Sequence, residues 1–481
     1  MTSTNKYQVV IGLEVHAQLM TKSKLFCGDS TAFGAEPNTQ VSPVSLAHPG
    51  TLPTMNKKAI ELAVKLGLAM NCEIEQHNYF ARKNYFYPDL PKGYQVSQHT
   101  APVCKAGHLS IATTIGNKNV KLNRIHLEED AGKSIHDAHE QYTCIDLNRA
   151  GVPLLEIVTE PDMHSAEEAF SFLTELRKLL RWLEVCDGNM EEGSMRCDAN
   201  ISVRRMGETE LGKRVEVKNL NSIRNVKKAI EIETERLIGI VETGETVIQE
   251  TRSFDADKNT TFSLRSKEEA DDYRYFPEPD LPPFYISENY IKEISAALPI
   301  LPAKIKSTYI SEFGLSDYDA SVICSDKEDT RFFEGLLQHT KDYKAAANWL
   351  IGPLKFYCNE HNISLASFPL NYEVIAELIS LTQSGQVNFN NASTKVLPAL
   401  IAEPGNTALQ MAAILNLLQE TDSGALEDWV NQVILSMPEK IKEYKSGKKG
   451  LLGLFAGEVK KLSKGKADMQ LVNKLLAEKI N

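Results

Sequence analysis

The run Gly151-Val-Pro-Leu-Leu-Glu-Ile-Val158 constrains the fold more than any other stretch, because it is apolar throughout except for one carboxylate, Glu156. A continuous apolar run of this kind reads as a strand buried on both faces. An ionised carboxylate there costs several kcal/mol unless a cation or hydrogen bonds compensate it. Glu156 therefore needs a partner: an ion pair with Arg149 or Arg124, or a metal.

Two further stretches offer matching groups. In Val9-Val-Ile-Gly-Leu-Glu-Val-His16, Ile11, Leu13 and Val15 alternate with Gly12, Glu14 and His16, so Glu14 and His16 leave one side of a strand together. In Arg124-Ile-His-Leu-Glu-Glu-Asp-Ala-Gly-Lys-Ser134, the same alternation puts Arg124, His126 and Glu128 on one face and Ile125 and Leu127 in the core. Glu129 falls on the opposite face unless the strand ends at Glu128, in which case both carboxylates converge before the turn Asp130-Ala-Gly132. Alone, these acids read equally well as a solvated strand end. With Glu14, Glu156 and one histidine they form a mainly oxygen ligand set, which suits Mg²⁺ or Mn²⁺ better than Zn²⁺.

A chain of 481 residues should hold about three domains. Its net charge of −11 argues against a protein that coats nucleic acid over its whole surface but leaves room for a local basic patch. No apolar run reaches membrane-spanning length, and Met1-Thr-Ser-Thr-Asn-Lys6 resembles neither a signal nor a transit peptide, so a cytoplasmic enzyme with no membrane partner is expected. Cys27, Cys72, Cys104, Cys144, Cys186, Cys197, Cys324 and Cys358 contain no Cys-x-x-Cys pair and read as reduced thiols.

Along the chain, Asn56 can cap a helix. Arg82-Lys-Asn-Tyr-Phe-Tyr-Pro-Asp-Leu-Pro-Lys92 sets two cations before three aromatics, which suits phosphate and base contact or a packed corner. Ser165-Ala-Glu-Glu168 is a capping box that opens a helix with Phe172, Leu173, Leu176 and Leu180 on one face. Asp198 to Arg204 and Arg214 to Lys218 read as a hairpin whose polar face is either solvent surface or part of a site. Near residue 295 the pattern turns helical, and it shifts again after Glu403-Pro-Gly405, giving domains 1–294, 295–405 and 406–481. Residues 440–481 hold eleven lysines against four acids, either a footprint for a phosphate backbone or a solvated face. Gly132-Lys133-Ser134 lacks the earlier glycine of a P-loop, since Leu127 stands there.

The stretches Ile11 to His16, Phe33-Gly-Ala-Glu-Pro-Asn38, Arg82 to Asp89, His126 to Ser134, Asp146-Leu-Asn-Arg149, Glu192-Gly-Ser-Met-Arg-Cys-Asp-Ala-Asn200, Val217-Lys-Asn-Leu-Asn221 and Tyr273-Arg-Tyr-Phe-Pro-Glu-Pro-Asp280, with Gly465-Lys-Ala-Asp468 near the end, together resemble the B subunits of aspartyl/glutamyl-tRNA amidotransferases. The resemblance implies an α+β chain with a cradle-shaped α/β catalytic domain, an all-helical domain and a small helical tail domain. It implies ATP-dependent amidation of misacylated Glu-tRNA(Gln) or Asp-tRNA(Asn) through an acyl phosphate, with Mg²⁺ as cofactor and ATP as co-substrate. Glu14, His16, Glu128 and Glu156 fall on the family's metal and catalytic positions, with Glu129 adjacent. Lys83 and Tyr85 join Glu128 and Glu156 in the implied catalytic set. Arg82, Lys83, Tyr85, Arg196, Asp198, Lys218 and Arg274 form the implied substrate and ATP set.

Ammonia is implied to come from an amidase partner, the A subunit, and a small C subunit is implied to brace the pair. Misacylated tRNA is the third partner, gripped by Lys448, Lys449, Lys460, Lys461, Lys464 and Lys466 of the tail. Many relatives carry Cys-x-Cys and Cys-x-x-Cys ligands for zinc where this chain has Cys27-Gly-Asp29 and Ser42-Pro-Val-Ser45, so no zinc is expected. From the residues alone, a metal-dependent nuclease or phosphatase and a non-catalytic tRNA-binding scaffold compete with this reading. ATP hydrolysis stimulated only by misacylated tRNA separates the three.

Overall fold

The alternation around residues 9–16 becomes the strand Tyr7–Gln18, with Ile11, Leu13, Val15 and Ala17 buried on one side. In the computed structural model, which describes residues 6–266, 273–419, 423–463 and 466–480, this strand lies near the middle of a ten-stranded sheet. Its neighbours are Pro153–Thr159 and Met195–Arg205, both antiparallel. Pro153–Thr159 pairs on its far side with Gly116–Glu129, and Met195–Arg205 with Val215–Lys218. The run around Glu156 is thus an interior strand, and the expected hairpin is present.

A break in register sets the phase of Gly116–Glu129. Leu122 pairs with Thr159 and Arg124 with Val158, leaving Asn123 as an extra residue. Val120 and Leu122 are core before this bulge, Ile125 and Leu127 after it. The extra residue changes the parity of the strand and turns Arg124, His126 and Glu128 to the opposite face.

Helices cover the apolar face. Ala166–Trp182 starts at Ser165, whose side chain accepts the Glu168 N–H, while the Glu168 carboxylate takes the His164 N–H and Lys118 instead of closing the reciprocal half of the capping box. Phe172, Leu173, Leu176 and Leu180 share one core with Ile11, Leu13, Val15, Ile125 and Leu127. Ile223–Glu242 packs beside that helix and against Met195–Arg205. Burying each such side chain stabilises by roughly 1.5–3 kcal/mol. A one-residue slip of the central strand would drive Glu14 and His16 into this core, so the register of the polar face is strongly fixed.

A small sheet of Ala81–Asn84, Tyr94–Ser97 and Phe276–Pro277 meets the end of Gly116–Glu129, where Gln95 donates to the Glu129 carbonyl. Helix Lys57–Ala69 is capped by Asn56, as expected.

The chain divides into two units, Met1–Leu301 and Pro302–Asn481. Helix Glu288–Ala296 buries Ile294 in the core of the first, and Trp182 Nε1 donates to the Ile300 carbonyl. The described residues of the second unit are helices joined by short loops. Its apolar side chains gather in two clusters, one including Phe333, Trp349 and Leu378, the other including Leu426, Phe455 and Val472. The architecture is α+β, with the mixed part first. Among the described residues no helix is long and apolar enough to cross a membrane.

Candidate functional site

Antiparallel register places His16 opposite Glu156 on one side and Arg196 on the other, and Glu156 opposite His126. Four polar residues from four adjacent strands therefore form a row across the face opposite the helices. Glu128 stands two residues beyond His126 on the same side. His16 Nε2 lies 3.6 Å from Glu156 and 3.7 Å from Glu128, and His126 Nε2 lies 3.3 Å and 3.7 Å from the same two carboxylates. One ligand atom each from His16, Glu128 and Glu156 fall within 4.8 Å of one another. Ser97, from the small sheet, donates to Glu128 at 3.3 Å.

For His126, His16 and Glu156, burial opposes the charged form, and mutual pairing overcomes it. Desolvation works against the His126 imidazolium, yet Glu156 and Glu128 hold its pKa up at about 9. His16 is raised in the same way against burial and against Arg196. Glu156 is held well below the usual carboxylate range because His126 and His16 outweigh its burial. The partner that Glu156 requires is thus a pair of imidazoles. Arg149 is turned to the Ala131 and Gly132 carbonyls, and Arg124 lies against the His126 ring and Asn123. Two carboxylates and an imidazole converging from one face are a donor set that fits a hard divalent cation.

Two residues counted with the metal set stand apart from it. The strand runs through Glu129, which therefore points to the other face, where it accepts the Val96 N–H at 2.7 Å and pairs with buried Lys92 at 2.7 Å. Glu14 shares the polar face but lies outside the His16, Glu128 and Glu156 group, and Asn200 donates to it at 2.9 Å. Burial and the charges of Glu156, Glu216 and Asp198 raise its pKa. Beside it, Lys218 bridges Asp198 at 2.6 Å and Glu216 at 3.0 Å, and its pKa is raised because those two acids outweigh its burial. Asp198 and Lys218 are therefore together, one step along the sheet from His16.

Among the remaining candidates, Lys83 sits 5.0 Å from the Tyr273 ring centre and 5.9 Å from that of Tyr85. Burial is the largest influence on its ammonium, but Glu128 and its neighbours still raise the pKa. Arg196 grips Asp130 with two 2.9 Å hydrogen bonds, and Gln18 donates to the same carboxylate at 2.8 Å. Arg82 is set apart from the site: it alternates with Lys83 on its strand and is clasped by Glu278 and Asp280 between the Tyr94 and Phe276 rings. Arg274 is exposed in a left-handed turn with φ +43°.

Of the tail lysines, Lys448 pairs with Glu443 and Lys461 with Glu458, Lys449 lies over Tyr444, Lys460 is exposed and Lys466 half-buried. Lys464 lies outside the described residues.

The sequence put His126 on the face of Glu128, and Asp130 and Gly132 in a turn, but named none of them as a site residue, and it did not single out Ser97 or Gln18. For His126 the signal was present, two positions before Glu128 on the same face. At Gly132 a Cβ would come within 2.9 Å of both the Asp89 and Asp146 carbonyl oxygens, so the close approach of two backbone segments requires glycine there. Cys27, Asp29, Ser42 and Ser45 do converge: Ser45 and Cys27 donate to Asp29, and the Ser42 N–H donates to the Ser45 hydroxyl. Burial pushes the Cys27 thiol up to about 11.

Residues 9–292 match the family model of the GatB/GatE catalytic domain, and residues 331–480 that of the GatB domain. Over 471 residues, 98% of each chain, the sequence is 48% identical to the aspartyl/glutamyl-tRNA(Asn/Gln) amidotransferase B subunit of Thermodesulfovibrio yellowstonii. It is 47% identical over 478 residues to the B subunits of the same name from Oleidesulfovibrio alaskensis, covering 99% of each chain, and Alkalilimnicola ehrlichii, covering 99% of this chain and 100% of that one.

Proposed function

The chain belongs to the family of aspartyl/glutamyl-tRNA(Asn/Gln) amidotransferase B subunits, and from that premise we propose that it performs the ATP-dependent amidation of misacylated Glu-tRNA(Gln), Asp-tRNA(Asn) or both. A carboxylate is a poor electrophile. Transfer of the γ-phosphoryl group of ATP to the side-chain carboxylate oxygen gives an acyl phosphate and ADP. Ammonia then attacks the carbonyl carbon, the bond to the phosphate oxygen breaks, and Gln-tRNA(Gln) or Asn-tRNA(Asn) leaves with inorganic phosphate. The product bond makes the enzyme a carbon–nitrogen ligase with glutamine as amido donor.

The observation that carries this reading is the group of His16, Glu128 and Glu156 within 4.8 Å on the sheet face opposite the helices. Those three residues would hold Mg²⁺, whose charge offsets that of the triphosphate during transfer. Lys83, half-buried among Tyr85 and Tyr273 and close to Glu128, supplies a fixed cation toward the transferred phosphoryl group. Arg196, oriented by Asp130, supplies another. The walls formed by Tyr85 and Tyr273 limit water around the acyl phosphate, which water would otherwise hydrolyse.

Ammonia comes from an amidase partner, the A subunit; with a small C subunit, the three form a heterotrimer in the cytoplasm. The first unit, Met1–Leu301, serves as the catalytic cradle, the helices packed around Phe333 and Trp349 as the helical domain, and those packed around Leu426, Phe455 and Val472 as the tail that grips tRNA. In the complex with its partners, Glu128→Gln should abolish amidation and tRNA-stimulated ATP hydrolysis while tRNA affinity is retained, because the change removes a metal ligand and no phosphate contact. Normal amidation by this variant at saturating Mg²⁺ would sink the assignment.

A further inference from the structure

The loop from Tyr85 to Pro91 leaves the strand Ala81–Asn84 beside Lys83 and carries two aromatic rings outward: Phe86 is 90% exposed and Tyr87 53%. Aromatic rings normally gain by burial, and two consecutive exposed ones at the rim of a site invite a ligand surface. The loop is braced. The Asp89 carbonyl accepts the Gly132 N–H at 2.9 Å, the Leu90 N–H closes a turn onto the Tyr87 carbonyl at 3.0 Å, and the Leu90 side chain is buried. Asn84 ties the root of the loop to the Tyr273 and Arg274 carbonyls. The rings are thus presented by an ordered backbone, so little conformational entropy is lost when something stacks on them.

Behind them stands an aromatic wall. Tyr85 and Tyr273 meet edge to face at 5.9 Å, Tyr273 and Tyr275 at 6.1 Å, and His99 stacks on Tyr275 at 4.1 Å. The Tyr85 hydroxyl donates to Gln95 Oε1 at 3.4 Å, and Gln95 in turn donates to the Glu129 carbonyl at 2.6 Å, which places the root of the loop beside the strand end that carries Glu128.

We propose that Phe86 and Tyr87 stack against the unpaired 3′-terminal bases of the tRNA whose aminoacyl group lies at His16, Glu128 and Glu156. This rests on the function proposed above. The aminoacyl ester is borne by the terminal ribose, so the last nucleotides must cross the rim from which these residues project. Unpaired bases offer flat faces to aromatic side chains, at about 1–3 kcal/mol per base and with little dependence on sequence. The adenine of ATP is the less suitable occupant, because a small-molecule cleft encloses most of its ligand's surface, and Phe86 is almost wholly exposed.

The test uses the intact complex with its partner subunits and two deacylated tRNAs, one complete and one lacking its last three nucleotides. The wild-type complex should bind the complete tRNA about ten-fold or more tightly than the shortened one. The double variant Phe86→Ala/Tyr87→Ala should bind both with the weaker affinity, with ATP affinity unchanged, and Phe86→Trp should keep the preference. A double variant that still prefers the complete tRNA as strongly as wild type overturns this inference alone. So does a loss confined to ATP affinity, or loss of the partner subunits on purification, which would assign the rings to a protein contact. Absence of tRNA binding by the wild-type complex would overturn both this inference and the function beneath it.

Discussion

Glu128 and Glu129 are adjacent in the chain and have opposite surroundings. Glu128 faces two imidazoles and the Ser97 hydroxyl. Glu129 faces Lys92, whose ammonium also lies 4.7 Å from the Phe26 ring. The side chains of that pair are 1% and 8% exposed, so neither charge is compensated by water. Glu129→Gln leaves the Lys92 ammonium buried without its counter-ion, which should cost about 3 kcal/mol of stability, a large share of the 5–15 kcal/mol or so that holds an ordinary domain together. Urea unfolding should show the loss as a lowered midpoint. Mg²⁺ affinity of the folded variant, measured by calorimetry, should stay close to wild type. A fall in affinity matching that of Glu128→Gln would return Glu129 to the ligand set. The sequence left these two residues unresolved because their separation depends on where the strand ends. That end is fixed by the pairing of Glu129 with Pro153, a contact between distant residues.

At the scale of elements, periodicity made the strands and their faces legible: Ile11, Leu13 and Val15 inward, Glu14 and His16 outward. The order of the strands was not legible, and neither was the bulge at Asn123, because both follow from pairings far apart in the chain. The capping box at Ser165 was half right for a similar reason. Glu168 found better partners in the His164 N–H and in Lys118, which the local motif does not contain. In the loop around Cys27 the side chains are tied to one another by hydrogen bonds. Asp29 gathers Ser45 and Cys27 by hydrogen bonds, and Ser42 joins through Ser45. A structural zinc site needs four strong donors, commonly thiolates or imidazoles. Here there are one thiol held protonated up to a pKa of about 11, one carboxylate and two hydroxyls. Elemental analysis of the purified chain should therefore give well below one equivalent of zinc, and a stoichiometric amount would refute the assignment.

At the scale of the whole molecule, charge is segregated: the chain carries −11 overall, yet its last forty-two residues hold eleven lysines and four acids. Several of those lysines already have partners. Lys440 and Lys448 share Glu443, Lys461 pairs with Glu458, and Lys479 with Glu427. Exposed pairs of this kind are worth only a few tenths of a kcal/mol, so a phosphate can readily take the place of the carboxylate. Removing residues 406–481 outright is a poor probe, because Ala408, Met411 and Ala412 pack in the cluster around Phe333 and Trp349. Replacing Lys448, Lys449, Lys460 and Lys461 with glutamine removes the charge and spares that core. If these lysines meet the tRNA backbone, affinity at low salt should fall about ten-fold or more, and the slope of log affinity against log salt should flatten by about 0.7–0.9 for each phosphate no longer neutralised. Amidation at saturating tRNA should change little, since the acceptor end still reaches His16, Glu128 and Glu156. An unchanged salt slope in the four-fold variant would make the lysine face plain solvated surface and leave tRNA recognition to the rest of the chain.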